Sequence, residues 1–145
     1  MARPKLMLDT NILIYIQSNH PSWVAEKFKS LKRGDVAVSA LVWAEFHVGL
    51  LRKGLPVPDV KGLIDVLPFD EAAALTFARI TAGKPCRQKN IDRLIAAHAI
   101  SLGATLVTNN TADFQQHEAD GLRLENWTEP DGDETPQPPK QGKKA

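Results

Sequence analysis

The sequence predicts an α/β domain in which helices cover both faces of a mostly parallel sheet. Short runs rich in β-branched and apolar residues alternate with longer helical patterns between residues 1 and 127, and this alternation is typical of a parallel sheet. Helix boundary signals agree with it, because Ser39 is placed to cap a helix and Gly103 to end one. A chain of 145 residues is long enough for one such domain to bury a core.

The predicted elements alternate in type along the chain, so that each strand except the last is followed by a helix or a helical turn. They are a strand at 5–8, a helix from Asn11, a helix near 21–33, a strand at 36–38, a helix from the Ser39 cap to about Leu51, a short strand within 65–69, helices at 70–83 and 90–103, a strand at 104–108, a loop with one helical turn at 109–116, and a last strand at 122–127.

Composition excludes several classes of protein. No run approaches the ~18 apolar residues of a membrane span, and the start of the chain lacks the apolar stretch of a signal peptide. The single cysteine, Cys86, cannot form an intramolecular disulfide. We therefore expect a cytoplasmic protein that does not contact membranes. The net charge of +1 does not indicate a nucleic-acid binder, and the locally basic segments 26–34 and 83–93 are either solvated surfaces or phosphate contacts.

The chain changes character after Trp127. Residues 128–145 contain four of the ten prolines and no large apolar residue, so this segment cannot bury enough surface to order itself. We therefore divide the chain into a folded domain at 1–127 and a charged, Pro-rich flexible tail at 128–145.

Two acidic residues interrupt apolar patterns. Asp9 directly follows the first predicted strand, where α/β proteins collect functional groups; alternatively it only caps the next helix. Glu45 shares a helical stripe with Leu41 and Val48, which predicts a carboxylate directed toward the core and in need of a cation. The alternative for Glu45 is a helix edge that exposes it to solvent.

Two further acids are candidate site residues, and each also has a purely structural alternative. Asp92 begins a helical face of small residues with Ala96 and Ala99, although it also suits a helix's first turn as a cap. Asp113 follows the 104–108 strand, beside several polar residues that are also consistent with a plain turn.

His98 lies near an apolar stripe, and we predict a half-buried structural histidine rather than a metal ligand.

These segments resemble the PIN-domain ribonucleases, in particular the VapC-type toxins of type II toxin–antitoxin pairs. The matching stretches occur in the family's order across residues 6–127. They are MLDTNILIYI, VSALVWAEFHVGLLRKG, IDRLIAAHAISLGATLVTNNTADF and GLRLENW. The stretch before Asp92 is shorter than the usual glycine-containing loop, and the tail is not part of the family pattern.

The resemblance implies a three-layer α/β/α domain with an acidic metal site. It places Asp9, Glu45, Asp92 and Asp113 on the family's acidic positions, and the supporting polar positions on Asn11, Thr108 and Asn110. Clustered carboxylates suit Mg²⁺, for which Mn²⁺ substitutes. We therefore hypothesise in-line hydrolysis of RNA by metal-activated water, with Asp9 and Asp92 as direct ligands and Glu45 and Asp113 as a further ligand or water-positioning group.

The resemblance also implies a biological role and partners. The expected protein is an endoribonuclease toxin that cuts RNA such as tRNA, inhibits translation and growth, and is neutralised by a cognate antitoxin. A homodimer and a toxin–antitoxin hetero-oligomer are the expected assemblies. The alternative is a catalytically silent PIN-like module that acts only through its partner. A receiver-type phosphoryl-transfer domain is disfavoured, because no acid lies two residues after Asp9 and no acidic pair precedes it.

Overall fold

A computed structural model describes residues 3–57, 63–85 and 91–128. The strands are β1 (Leu6–Leu8), β2 (Val36–Ser39), β3 (Asp65–Leu67), β4 (Thr105–Val107) and β5 (Arg123–Glu125). The helices are α1 (Thr10–Ser18), α2 (Ser22–Lys29), α3 (Ala40–Arg52), α4 (Glu71–Thr81), α5 (Ile91–Leu102) and α6 (Thr111–Phe114), and a 3₁₀ turn follows at Gln115–Asp120.

The described strands form one parallel sheet in the order β3-β2-β1-β4-β5. All four neighbouring pairs are parallel, which confirms the predicted fold class. The chain moves outward from β1 through β2 to β3, and then returns to the other side of β1 for β4 and β5. The order therefore reverses between β1 and β4, and α/β proteins bind ligands at such a switch point, beyond the carboxyl ends of the strands.

Helix boundaries follow the signals in the sequence. The Ser39 hydroxyl accepts the Leu41 N–H at 3.1 Å at the start of α3, as predicted. Gly103 adopts φ +67 directly after α5, a conformation that glycine reaches without strain. Helix α2 ends at Lys29, four residues before the predicted end, and the chain then turns through Gly34 at φ +96 to enter β2.

The stripe that α3 buries differs from the predicted one. Val42, Phe46 and Leu50 are buried, whereas Glu45 is exposed and Val48 is 45% exposed. The prediction that Glu45 points toward the core is wrong, and the alternative of an exposed helix edge is correct. Two stripes of this helix carry apolar residues, and they are offset by one residue, or about 100° around the helix axis. The sequence pattern alone therefore does not decide which stripe is buried.

The small face of α5 is confirmed. Ala96 and Ala99 have no exposed surface, and α4 packs against this helix. His98 is buried more completely than predicted, with 2% exposure. The edge of its ring meets the Phe69 ring at a centroid distance of 5.4 Å, so it acts as a core side chain. Burial lowers its pKa, while the charge of Asp70 opposes the shift.

Two buried histidines predict a loss of stability in mild acid. Burial is the main cause of the lowered pKa at both His98 and His117, so unfolding increases proton uptake once the pH falls below the ordinary value of 6.5. We expect the free energy of unfolding to fall as the pH drops from 6.5. In chemical denaturation at several pH values, His98→Phe should show a shallower decline than the parent; equal slopes would contradict the assignment.

None of the helices in the described ranges has the length and apolar character needed to cross a membrane. Two features named from the sequence lie outside the described residues: most of the tail, 129–145, and the core of the short segment before Asp92, 86–90.

Candidate active site at the carboxyl edge of the sheet

Asp9 and Thr108 meet at the switch point of the sheet. They directly follow β1 and β4, which are parallel neighbours with Leu8 paired to Val107. Asp9 is 5% exposed and Thr108 is completely buried. The Thr108 hydroxyl donates to Asp9 Oδ2 at 2.8 Å. The topology of the sheet therefore joins two residues that are 99 positions apart in the sequence.

The Asp9 carboxylate is held by neutral donors. Its Oδ1 accepts the Thr10 N–H at 2.9 Å, which caps α1, as the capping alternative anticipated. Its Oδ2 accepts the Thr108 hydroxyl and also the Asn11 amide at 3.4 Å. Because these contacts fix both oxygens, Asp9 is at once a helix cap and an oriented carboxylate.

Burial leaves the charge of Asp9 poorly compensated. The pKa of Asp9 is raised above its ordinary value, chiefly by burial and further by the charge of Glu45, although its hydrogen bonds oppose the rise. In the described part of the chain, no Lys, Arg or His forms an ion pair with it. A buried carboxylate without a positive partner is costly, and a bound cation would remove that cost.

Glu45 reaches the same edge from α3. Its Oε1 accepts the Thr10 hydroxyl at 2.7 Å, so Thr10 connects the carboxylates of Asp9 and Glu45 through one residue. Glu45 itself is exposed and is available to solvent or a ligand. Asp9 and Glu45, two of the four candidate acids, are therefore linked through Thr10, with Glu45 at the surface.

A second set of hydrogen bonds fixes the loop after β4. The side-chain Oδ1 of Asn11 accepts the backbone N–H of Asn109 at 3.3 Å, and the side-chain amide of Asn109 donates to the Tyr15 hydroxyl at 2.8 Å. Asn11 and Thr108 thus both contact Asp9 by hydrogen bonds, and their supporting role stays a prediction. The exposed Asn110 contributes its backbone N–H to the Thr108 hydroxyl at 3.0 Å, and its side chain makes no capping bond.

Sequence reasoning missed three members of this network. Thr10, Asn109 and Tyr15 each make a side-chain contact that orders the site. The signal for Tyr15 was weak but present, since it lies one helical turn after Asn11 and so shares a face with it. Nothing local marks the bond between Thr10 and Glu45, which are 35 positions apart.

Asp92 and Asp113 line a second part of the edge. Both border an open cleft of about 400 Å³, together with Arg93, Gln116 and His117. Asp92 is half-buried in the first turn of α5, and Asp113 is exposed on α6. Two acids and one arginine in a polar cleft can accommodate a cation and a phosphate side by side.

An ion pair stabilises the wall of this cleft. Asp120 accepts from Lys84 Nζ at 2.8 Å and lies 3.3 Å from Nδ1 of His117. Burial alone would raise the pKa of Asp120, but the hydrogen bonds from Lys84 and His117 lower it overall. His117 is consequently fixed in position where the 3₁₀ turn borders the cleft.

The donor chemistry fits a hard divalent cation. Asp9 and Glu45 are linked through Thr10, and Asp92 and Asp113 border the same cleft. Across residues 3–57, 63–85 and 91–128, no three or more His, Cys, Asp or Glu side chains are grouped closely enough to hold one ion. Mg²⁺ is commonly held by one or two carboxylates while it retains several waters. Oxygen donors of this kind, with Asp9 lacking a positive partner, fit that mode of binding.

Comparisons with known proteins agree with this geometry. A family model described as PIN domain matches residues 6–119. A tRNA(fMet)-specific endonuclease VapC of Shigella flexneri is 37% identical over 135 residues, covering 86% of this chain and 98% of that protein. Ribonuclease VapC2 of Haemophilus influenzae is 34% identical over 132 residues, covering 85% and 98% of the two chains.

Solved structures show the same similarity. The structure of VapBC2 from Rickettsia felis, bound to a DNA fragment from their promoter, has a TM-score of 0.63 and 27% identity, and the match covers 84% of this chain and 98% of that chain. The DNA-bound VapBC of Salmonella typhimurium has a TM-score of 0.63 and 27% identity, with 88% and 99% covered.

Proposed function

This chain belongs to the PIN-domain family, and on that premise we propose that it is a Mg²⁺-dependent endoribonuclease toxin of the VapC type. The observation that carries the proposal is the buried Asp9 carboxylate, which lies at the switch point with no positive partner among the described residues. The relatives that are named ribonucleases or a tRNA-specific endonuclease support RNA as the substrate. Over most of its length, this chain is similar to them.

Asp9 and Asp92 would hold the metal, with Glu45 and Asp113 as a further ligand or as groups that position water. When bound, the cation supplies a Lewis acid for a phosphodiester oxygen and lowers the pKa of a coordinated water. The chain's own contribution is orientation. Thr108 and Asn11 hold the Asp9 carboxylate, and Thr10 holds that of Glu45.

Arg93 gives the cleft its positive group. It lines the same opening as Asp92 and Asp113, and its Nη1 donates to the Pro85 carbonyl at 3.2 Å, which restrains the side chain. A guanidinium held beside two acids can bind the phosphate next to the bond that is cut. The contact positions the RNA backbone and carries no sequence information.

The proposed substrate is structured RNA, with tRNA as the first choice because one relative is named for tRNA(fMet). Single-stranded loops offer unstacked bases that a protein can read. Sequencing the 5′ ends of cellular RNAs soon after the protein is induced tests both the function and the substrate. Discrete new ends in one loop are expected, whereas an unchanged set of ends would favour a silent binding module.

A groove between α1 and α3 supports the proposed antitoxin partner. Ile14 and Leu55 are 41% and 43% exposed, and they line the groove with the more buried Phe46 and Leu50. An amphipathic helix binds grooves of this kind with its apolar face. Glu45 also lines the groove, so a basic side chain of the antitoxin would meet an acid of the site. The similar structures are of VapBC proteins.

Replacing Ile14 by Asp should weaken binding of the small protein encoded beside this one by at least about tenfold, because a carboxylate would be buried in an apolar contact. Leu75→Asp is the matched control, since Leu75 is 62% exposed on α4, outside the residues that line the groove. Isothermal titration of both variants and the parent measures the difference. Equal affinity for the two variants would contradict this location.

A further inference from the structure

The end of α2 carries a surplus of positive charge. Residues 26–34 contain four cations and one acid, Glu26. Three of the cations, Lys29, Lys32 and Arg33, are exposed. In the described part of the chain, these three make no ion pair. We refer to Lys29, Lys32 and Arg33 as the α2 basic surface.

Part of this surface borders an apolar depression. Lys29 and Arg33 line a hollow of about 170 Å³ together with Phe28, Leu31 and Leu63. The Leu63 side chain is 56% exposed there. A hollow with an apolar floor and cations at its rim suits a segment that combines several carboxylates with a proline, because it offers attraction for the acids and contact area for the proline ring.

The described chain ends against the same helix. The Trp127 carbonyl accepts the Trp23 indole N–H at 3.0 Å, and Lys27 Nζ lies 6.0 Å from the centre of the Trp127 ring. Both Trp23 and Lys27 belong to α2. Trp127, one residue before the end of the described chain, therefore lies against α2.

Those following residues have the complementary charge. The sequence at 129–134 is EPDGDE, with four acids and no cation, and further prolines follow at 136, 138 and 139. Six extended residues span about 20 Å. From Trp23 to Lys29 the helix rises by only about 9 Å. The acidic segment is therefore long enough to reach the α2 basic surface from its point of departure.

We propose that residues 129–134 dock on the α2 basic surface and compete there with RNA phosphates. The docking depends on opposite charges at short range and on tethering, which gives the segment a high effective concentration. The competition rests on the proposed ribonuclease function, since an exposed basic surface on an RNA-binding protein would otherwise attract the RNA backbone. The three lysines near the end of the chain lie beyond the acidic segment.

Zero-length carbodiimide cross-linking of the full chain, read by mass spectrometry, tests the docking without RNA. We expect cross-links from residues 129–134 to Lys29 and Lys32 that disappear at high salt. They should be absent when the four acids of the segment are changed to Asn or Gln, and retained in Lys140→Gln/Lys143→Gln/Lys144→Gln. Cross-links spread evenly over distant lysines such as Lys53 and Lys84 would overturn the docking.

Binding of a single-stranded RNA oligonucleotide in EDTA tests the competition. The variant with the neutralised segment should bind severalfold more tightly than the parent at low salt. That gain should vanish when Lys29, Lys32 and Arg33 are also changed to Gln. Unchanged affinity alongside positive cross-links would overturn the competition. Because neither readout requires cleavage, failure of this proposal is distinguishable from failure of the proposed nuclease activity.

Discussion

Replacing Asp92 by Asn is expected to reduce RNA cleavage by about a hundredfold or more, because loss of a group that only supports a metal ligand already costs about 10- to 100-fold. Asn keeps the shape of the side chain and an oxygen that can cap the first turn of α5, but it removes the charge that would bind Mg²⁺. If Asp92 serves only as a cap, the substitution should cost little and cleavage should survive. Gel assays with labelled RNA separate the two roles.

Asp65→Asn is the matched control for this experiment. Asp65 is exposed at the start of β3, and so lies at the opposite edge of the parallel sheet from the site. Like Asp92→Asn, the Asp65→Asn substitution removes one negative charge from the chain. Cleavage by this variant should equal that of the parent. A loss of equal size in both variants would show that overall charge, rather than the site, governs the reaction.

Replacing Asp9 by Asn is expected to alter the pH dependence of stability in the metal-free protein. Because the pKa of Asp9 is raised from 3.8, mainly by burial and further by Glu45, the folded parent retains a proton that the unfolded chain releases. The parent's free energy of unfolding therefore falls as the pH rises above 3.8, until the raised pKa is passed. The variant lacks this decline.

The difference between the two proteins isolates the charge at position 9. Loss of a hydrogen bond from Thr108 or Asn11 shifts the variant by about 1 kcal/mol at every pH, whereas the charge effect changes with pH. Denaturation in EDTA from acid to neutral pH should show the variant gaining relative to the parent. A constant difference would contradict the assigned electrostatics of Asp9.

Added metal should stabilise the parent more than it stabilises Asp9→Asn. If free Mg²⁺ or Mn²⁺ reaches a hundred times its dissociation constant, the parent gains about 2.7 kcal/mol, and its melting temperature rises. Asp9→Asn should gain much less, because a ligand is lost, while Asp65→Asn should respond like the parent. Thermal melts with and without the metal measure this. An equal response of Asp9→Asn and the parent would remove Asp9 from the proposed ligands.

The fold was predictable because its signals are local. Alternating apolar runs, the Ser39 cap and the helix-ending Gly103 each specify their own element, and a parallel sheet follows from their order. The position of Asp9 also followed, since it comes directly after a strand. Each of these features is encoded in a short stretch of the sequence.

The rest of the site depends on contacts between distant segments. The exposure of Glu45 was mispredicted because α3 has apolar residues on two adjacent stripes, and only the stripe with Val42, Phe46 and Leu50 is buried. In the sequence, an apolar stripe at the surface has the same spacing as one that faces the core. The hydrogen bond between Asn109 and Tyr15 joins residues 94 positions apart, and only the folded sheet brings them together.

Cleavage of 5′-labelled RNA by the purified protein, free of any partner, tests the central claim most directly. With Mg²⁺ we expect internal cleavage products that are absent in EDTA and return when excess Mg²⁺ is restored. RNA that stays intact with both Mg²⁺ and Mn²⁺, or that is cut equally well in EDTA, would contradict a metal-dependent nuclease centre at the carboxyl edge of this sheet.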